Sequence, residues 1–404
     1  MKIVQINAVY NISSTGRTTT ELHNALLQKG HESYVLCSKT NKYGDMNVEC
    51  ISTEVDIKLH GLMSRLSGKQ GYFSSCATRK IIKRLNEIKP DVVHLRNLHG
   101  NYINVPMILK YLAENNIATV VTLHDCWFFT GKCCYYTDDN CDKWQYGCGN
   151  CPALKKWNKS WLFDKSAEML ADKKHLFSNI EKLGVIGVSD WITNEAKQSI
   201  LKDTKIVKRI YNWIDLQQFS PKDTMALRKD LNIENDFVVL GVSQYWSVEK
   251  GILKIIDVAK RMPECKFVLV GKMIESYDLP ENVICIGLLS NADELAKYYS
   301  MADVLINPSV QETFGKTTAE AIASGTPVIG YNVTATPELI GVDCGIVLEL
   351  DCETDEIVNA VKTIRSNGKK HYFENCINFA QNNFNKNNLI DEYIEVYKQL
   401  IDVE

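Results

Sequence analysis

Short apolar runs alternate along the whole chain with longer segments of helical spacing. Met1–Val9 and His31–Ser38 read as strands around a helix from about Thr18 to Lys29, closed by Gly30. Asp91–Arg96 and Thr119–Leu123 follow as strands with a helix Val105–Asn115 between them, then Gly184–Ser189 and Ile206–Tyr211 around a helix Asp190–Leu201. The plan then repeats. Phe237–Ser243, Lys266–Gly271, Val283–Gly287, Val304–Asn307, Pro327–Gly330 and Gly345–Glu349 read as strands with helices between. Strands alternating with helices predict an α/β chain of doubly wound, Rossmann-like sheets. A last helix, Asn388–Leu400, sets Leu389, Tyr393, Val396, Tyr397 and Leu400 at helical spacing.

One stretch, Gln311–Gly330, carries the densest chemistry. The strand Val304–Asn307 stops at Pro308; a polar loop holding Glu312 leads through Gly315 into helix-forming residues ended by Gly325. The free N–H groups and the dipole of such a helix start favour an anion. Glu320, about one turn into that helix, is placed to accept hydrogen bonds from ligand hydroxyls. A helix start with two carboxylates fits a ligand that is part phosphate and part polyol, such as a nucleotide sugar. Two solvated glutamates at a helix start are the plainer reading of an isolated pair, since acids are common there.

The Glu-x7-Glu spacing, with Phe314-Gly315 inside it and Gly325-Thr326-Pro327-Val328 after it, resembles the retaining glycosyltransferases of the large GT-B family 4. The resemblance implies two Rossmann-like domains facing across a cleft. It implies that Glu320 holds the ribose and Glu312 the donor sugar, and that the amides around Phe314, Gly315, Lys316 and Thr317 meet the sugar and phosphates. Lys250, beside Gly251, carries over as a grip on the diphosphate. The arginine that relatives place shortly before that lysine is replaced by Gln244-Tyr245-Trp246. Gly16 and Arg17 match the small-residue loop that approaches the donor phosphates, and Arg17 is a candidate for the second cation. His124, at a strand end, matches a group lining the donor-sugar site, with His99 as a second candidate. Asn212-Trp213-Ile214-Asp215, then Phe219 and Pro221, resembles the end of the family's first domain, with Trp213 in place of glycine. The implied organisation is 1–216 as the acceptor-side domain, 217–385 as the nucleotide-sugar domain, with the linker near Gln217–Asp223, and 386–404 as a helix crossing back.

Composition adds limits. The chain has 404 residues, 45% of them hydrophobic and 24% charged, as in ordinary soluble globular proteins. Met1–Val9 lacks the apolar core of a signal peptide, and no stretch has the roughly 18 continuous apolar residues of a membrane span. A cytoplasmic location follows as the expectation, with the inner membrane face as the working surface. Residues 1–220 carry 29 Lys and Arg against 21 Asp and Glu, while 221–404 carry 17 against 28. A basic first half suits an anionic acceptor or a lipid surface. In Lys58–Lys89, basic residues interleave with Leu59, Leu62, Met63, Leu66, Tyr72 and Phe73, which fits a solvated helix or a membrane face equally well. Trp157, Trp161 and Phe163 among lysines fit an interface, an acceptor-sugar platform or plain packing.

The segment 126–151 holds six cysteines. Cys148 and Cys151 form a C-x-x-C, preceded by Cys133 and Cys141, and four thiolates can close a tetrahedral structural zinc site in a loop without a core of its own. Reduced cysteines without metal are the alternative. The insert also resembles a subgroup of bacterial family-4 enzymes of capsule and exopolysaccharide clusters. The combined expectation is a transferase moving a sugar from a nucleotide-sugar donor to a hydroxyl of a glycan or lipid-linked glycan, with peripheral membrane contact. It expects no catalytic metal, for there is no Asp-x-Asp doublet suited to one, and no nucleic-acid partner. A sugar-nucleotide-binding protein without transfer activity is the competing reading, prompted by the absent arginine.

Overall fold

The structure, a computed structural model, describes residues 1–289 and 291–402. The chain divides into two compact units: Met1–Ile210 together with the C-terminal segment from Ile390, and Tyr211–Leu389.

The first unit is a seven-stranded sheet of β1 (Lys2–Tyr10), β2 (Glu32–Thr40), β3 (Val48–Cys50), β4 (Val92–Leu95), β5 (Ala118–Leu123), β6 (Leu183–Gly187) and β7 (Ile206–Arg209), in the order β3-β2-β1-β4-β5-β6-β7. Every pairing is parallel. β4, β5 and β6 are buried along their whole length, as both faces of a covered parallel sheet must be. β3 was not foreseen: it has three residues, none fully buried, and no pattern of its own.

The second unit repeats the plan with β8 (Phe237–Trp246), β9 (Cys265–Met273), β10 (Val283–Gly287), β11 (Val304–Asn307), β12 (Val328–Tyr331) and β13 (Gly345–Leu348), in the order β10-β9-β8-β11-β12-β13. These pairings are parallel too. In each sheet the strand order reverses once, between β1 and β4 and between β8 and β11. The loops leaving the carboxyl ends of those strands therefore flank the natural ligand crevice of each sheet.

Several boundaries differ from expectation, among them Phe237–Trp246 for the expected Phe237–Ser243 and Asp190–Ala196 for Asp190–Leu201, and three bear on the sites. The first helix spans Ser13–Gln28 instead of beginning near Thr18. Asn11 turns left-handed, its N–H bonds to Gly16 O and the Gly16 N–H to Ile12 O, so the loop closes early and Gly16 and Arg17 lie inside the helix. The unit boundary falls after Ile210, not at 216, because Tyr211 packs on Phe314 and Phe384 and the Ile214 N–H bonds to Phe384 O. The last helix, Lys386–Ile401, gives its residues from Ile390 to the first unit, where Tyr393, Tyr397 and Leu400 are buried. Val403 and Glu404, the end of the expected crossing helix, lie outside the described residues.

Candidate active site

In the second unit the residues singled out from the sequence gather where the strand order reverses. β11 ends in Asn307, whose side-chain amide donates to Thr318 Oγ1 at 3.0 Å and so ties the strand end to the following helix, Lys316–Ala323. That helix is entered through Gly315 at φ 90°, a left-handed conformation that disfavours a side chain. No side chain caps its start and no acid lies in its first turn, so the amides of Lys316 and Thr317 remain open to an anion. Phe314, just before, is buried against Tyr211 and Phe384 and fixes the angle at which the loop enters the helix.

Glu312 stands in the loop with its backbone pinned: its N–H bonds to Thr334 Oγ1 at 2.9 Å and its carbonyl accepts from the Ala335 N–H. Its carboxylate lies 3.4 Å from Lys250 Nζ, which is also 3.4 Å from Ser309 Oγ. Lys250 reaches this position because Gly251 presses on the turn after β11; a Cβ on Gly251 would lie 2.6 Å from Pro308 Cγ. Glu320 accepts from the Tyr299 hydroxyl at 2.9 Å, and burial together with that carboxylate pushes the Tyr299 phenol well above its usual range. Tyr299 thus remains a donor that orients Glu320. Tyr299, Ser309 and Thr334 are three supporting residues not flagged from sequence, since a tyrosine, a serine and a threonine on separate elements carry no spacing signal.

The stretch that replaces the relatives' arginine has a structural role instead. Trp246 is buried, packs on Gly241 and donates its indole N–H to Val270 O at 3.1 Å. Neighbouring Tyr245 is exposed and pairs in register with Lys272 at the exposed carboxyl end of β9.

The first unit holds its polar groups inside. Arg96, 1% exposed, donates to Thr18 Oγ1 at 2.9 Å, to Gln5 Oε1 at 3.4 Å and to His124 Nε2 at 3.0 Å, with its Nε lacking a partner. A guanidinium cannot accept, so His124 Nε2 carries the lone pair and the ring proton sits on Nδ1. Arg96 itself was read only as the end of a strand; a charge closing the otherwise buried run of β4 was the available signal. Behind it, His94 bonds Tyr397 and Thr122 through its two ring nitrogens at 2.8 and 2.7 Å, and burial holds it neutral, well below the usual imidazole range. Gly16 is buried in the helix and Arg17 is exposed on it. Asn7 braces this loop by donating to Val9 O, Thr15 O and Thr19 Oγ1.

The cysteine-rich segment folds around a small cavity lined by Cys133, Cys141, Cys148 and Cys151 with Lys132, Trp144 and Pro152. The neighbouring Cys133 thiol holds the Cys151 thiol below its usual range, while Cys133 itself is pushed up by Cys151 and by burial. Lys143 ties the loop by donating to Gly149 O and Asn150 O, and Lys132 by donating to Leu154 O. Buried Lys173 donates to Trp127 O and Thr130 O beneath the segment's start; burial lowers its ammonium to about 7. Four sulphurs line one cavity, the donor type and number of a tetrahedral thiolate site, but among the described residues no three of them bring their Sγ atoms within 4.8 Å of one another. His99 is paired with Asp125 at 2.7 Å.

Comparison with known proteins agrees with this arrangement. The family model described as Glycosyltransferase Family 4 matches residues 15–218, and that for glycosyl transferases group 1 matches 223–383. An uncharacterised protein of the cps region of Klebsiella pneumoniae is 24% identical over 96% of this chain and 99% of its own length. A putative colanic acid biosynthesis glycosyl transferase, WcaC of Escherichia coli, is 21% identical over 99% of this chain and 100% of its own. Among solved structures, Anabaena HepE in complex with UDP superposes with a TM-score of 0.70 at 17% identity, covering 99% of this chain and all of its own, which establishes the shared fold.

Proposed function

The chain belongs to glycosyltransferase family 4, and on that premise we propose that it moves a sugar from a nucleotide-sugar donor to a hydroxyl of a growing glycan in polysaccharide biosynthesis, with retention of configuration. The observation that carries this reading is the grouping of Glu312, Lys250 and the uncapped helix start at Gly315–Thr317, with Glu320 one turn on.

The difficulty in such a transfer is the charge that gathers on the leaving diphosphate. Lys250 and the amides of Lys316 and Thr317 neutralise it as the sugar becomes oxocarbenium-like. Glu320, oriented by Tyr299, accepts from the ribose hydroxyls, and Glu312 accepts from hydroxyls of the sugar. We assign the second cation to Arg17, because Gln244-Tyr245-Trp246 supplies no arginine shortly before Lys250. His124, held by Arg96 through Nε2, lines the sugar site. Without a divalent ion in this scheme, the protein's own donors supply the electrostatic stabilisation.

Cys133, Cys141, Cys148 and Cys151 would hold a structural zinc, which supplies cross-linking to the loop and no step of the reaction. The acceptor is read as lipid-linked. Leu59, Leu62, Met63 and Leu66 on the helix Glu54–Ser67 are exposed, as are Trp161, Leu162 and Phe163, and the Trp161 N–H bonds to Arg65 O, joining the two into one apolar surface beside Lys58, Arg65 and Lys159. Such a surface fits the interface of an anionic membrane. Among the described residues no helix is long and apolar enough to cross one.

Thermal-shift screening of nucleotide sugars, followed by product analysis with the stabilising donor and lipid-linked acceptors, tests the proposal. A stabilising donor and a glycosylated product are expected. Stabilisation without product across acceptors favours the binding protein without transfer activity, and no stabilisation by any donor contradicts both.

A further inference from the structure

We infer that His99, Asp125 and Cys134 form a second divalent-metal site in the first unit, separate from the four cysteines of the loop cavity. One ligand atom from each lies within 4.8 Å of the other two. Nε2 of His99 is 2.7 Å from Asp125 Oδ2 and 3.9 Å from Cys134 Sγ. A tetrahedral zinc with ordinary bond lengths separates a nitrogen from a sulphur ligand by about 3.6 Å and a nitrogen from an oxygen by about 3.3 Å. The sulphur is therefore nearly in place, and the carboxylate needs to open by roughly half an ångström as the shared imidazole proton leaves.

Each ligand is separately braced, as metal ligands are. Asp125 Oδ1 accepts from the Trp127 N–H at 2.8 Å, which leaves Oδ2 for the ion. The carbonyl of His99 accepts from Gln70 Nε2 at 2.7 Å, and its N–H bonds to Asn97 Oδ1. Asn158 Nδ2 points at Cys134 Sγ from 3.7 Å, a donor suited to a thiolate. The three come from different segments: His99 follows β4, Asp125 follows β5 and Cys134 belongs to the cysteine-rich insert. One nitrogen, one oxygen and one sulphur donor favour a borderline cation, Zn2+ before Mg2+ or Ca2+. Three protein ligands leave a tetrahedral ion one position for water or a substrate oxygen.

The site gives the insert a second task. Besides stapling itself, the insert would deliver a thiolate to the carboxyl edge of the first sheet, to a site whose carboxylate, Asp125, is next in sequence to His124. The inference does not depend on the transfer reaction.

Zinc bound per chain, measured on full-length protein stripped with chelator, reloaded with Zn2+ and freed of excess, tests it. Wild type should hold two ions. His99→Ala and Cys134→Ser should each hold one, and Cys148→Ser with Cys151→Ser should also hold one, the one at His99. Should the double cysteine variant fail to fold, the His99 and Cys134 variants decide alone, with circular dichroism to confirm folding. If they retain as many ions as wild type, the site does not exist and His99–Asp125 is an ordinary ion pair. If wild type holds one ion and His99→Ala loses it, the site stands and the four-cysteine staple falls.

Discussion

In the second unit the groups at the carboxyl ends of the strands stand on loops: Lys250 is 45% exposed, and Glu312, at 21%, still meets solvent. At the equivalent edge of the first unit the leading charge, Arg96, is buried and spends its donors on Gln5, Thr18 and His124. The strand order is the same around both edges. One fold thus carries two uses of a cation. An exposed lysine beside a carboxylate is free to change partner when an anion arrives. A buried arginine with three neutral partners cannot leave them without orphaning buried acceptors, so it fixes geometry, here that of His124.

The contrast predicts opposite phenotypes for removing each cation. Lys250→Ala should lower turnover by about 100-fold or more, the scale for losing one donor to developing charge, and leave the melting temperature almost unchanged. A Lys250→Ala protein with full turnover would remove that residue from the chemistry. Arg96→Met should instead destabilise the protein by about 3 kcal/mol, because buried acceptors lose their donor. Its melting temperature should fall by several degrees, and an unchanged melt would show that the buried network carries little.

Arg17→Ala, on the exposed face of the first helix, should reduce turnover by about 10-fold and leave nucleoside binding and stability intact. Wild-type turnover would mean that Lys250 and the helix amides suffice, or that Lys272, exposed at the end of β9, supplies the second charge. The smallest effect belongs to the apolar surface. Leu62→Glu with Trp161→Glu should weaken sedimentation with vesicles containing phosphatidylglycerol without altering turnover on a water-soluble acceptor. Equal sedimentation of variant and wild type would contradict the membrane reading.

The same contrast explains what could be read in advance. Periodicity marked nearly every strand, since parallel strands buried on both faces are compact apolar runs. The groups proposed to hold the donor stand together in the sequence because Glu312, Phe314, Gly315 and Glu320 fall within one short stretch, and strand, loop and helix follow each other there. Arg96, His94, Thr122, Tyr393 and Tyr397 meet only through tertiary structure, with His94 and Tyr397 303 positions apart in the chain, and each looks like an ordinary strand or helix position. The start of the first helix was misjudged because its turn rests on Asn11 in a left-handed conformation and not on a capping side chain. Cys134 carries no signal of its own in the sequence, since spacing within the insert gives no hint of His99, which lies 35 residues away in the chain.

Calorimetry of free nucleoside diphosphate and of the intact nucleotide sugar, on wild type, Glu320→Ala and Glu312→Ala, tests the donor site most directly. Glu320→Ala should weaken both ligands by about 10-fold or more, because it removes the acceptor of the ribose hydroxyls that both contain. Glu312→Ala should leave the diphosphate near its wild-type affinity and abolish only the extra affinity contributed by the sugar. Equal losses for both ligands in both variants would contradict the division of roles, and no loss in either would place the donor elsewhere.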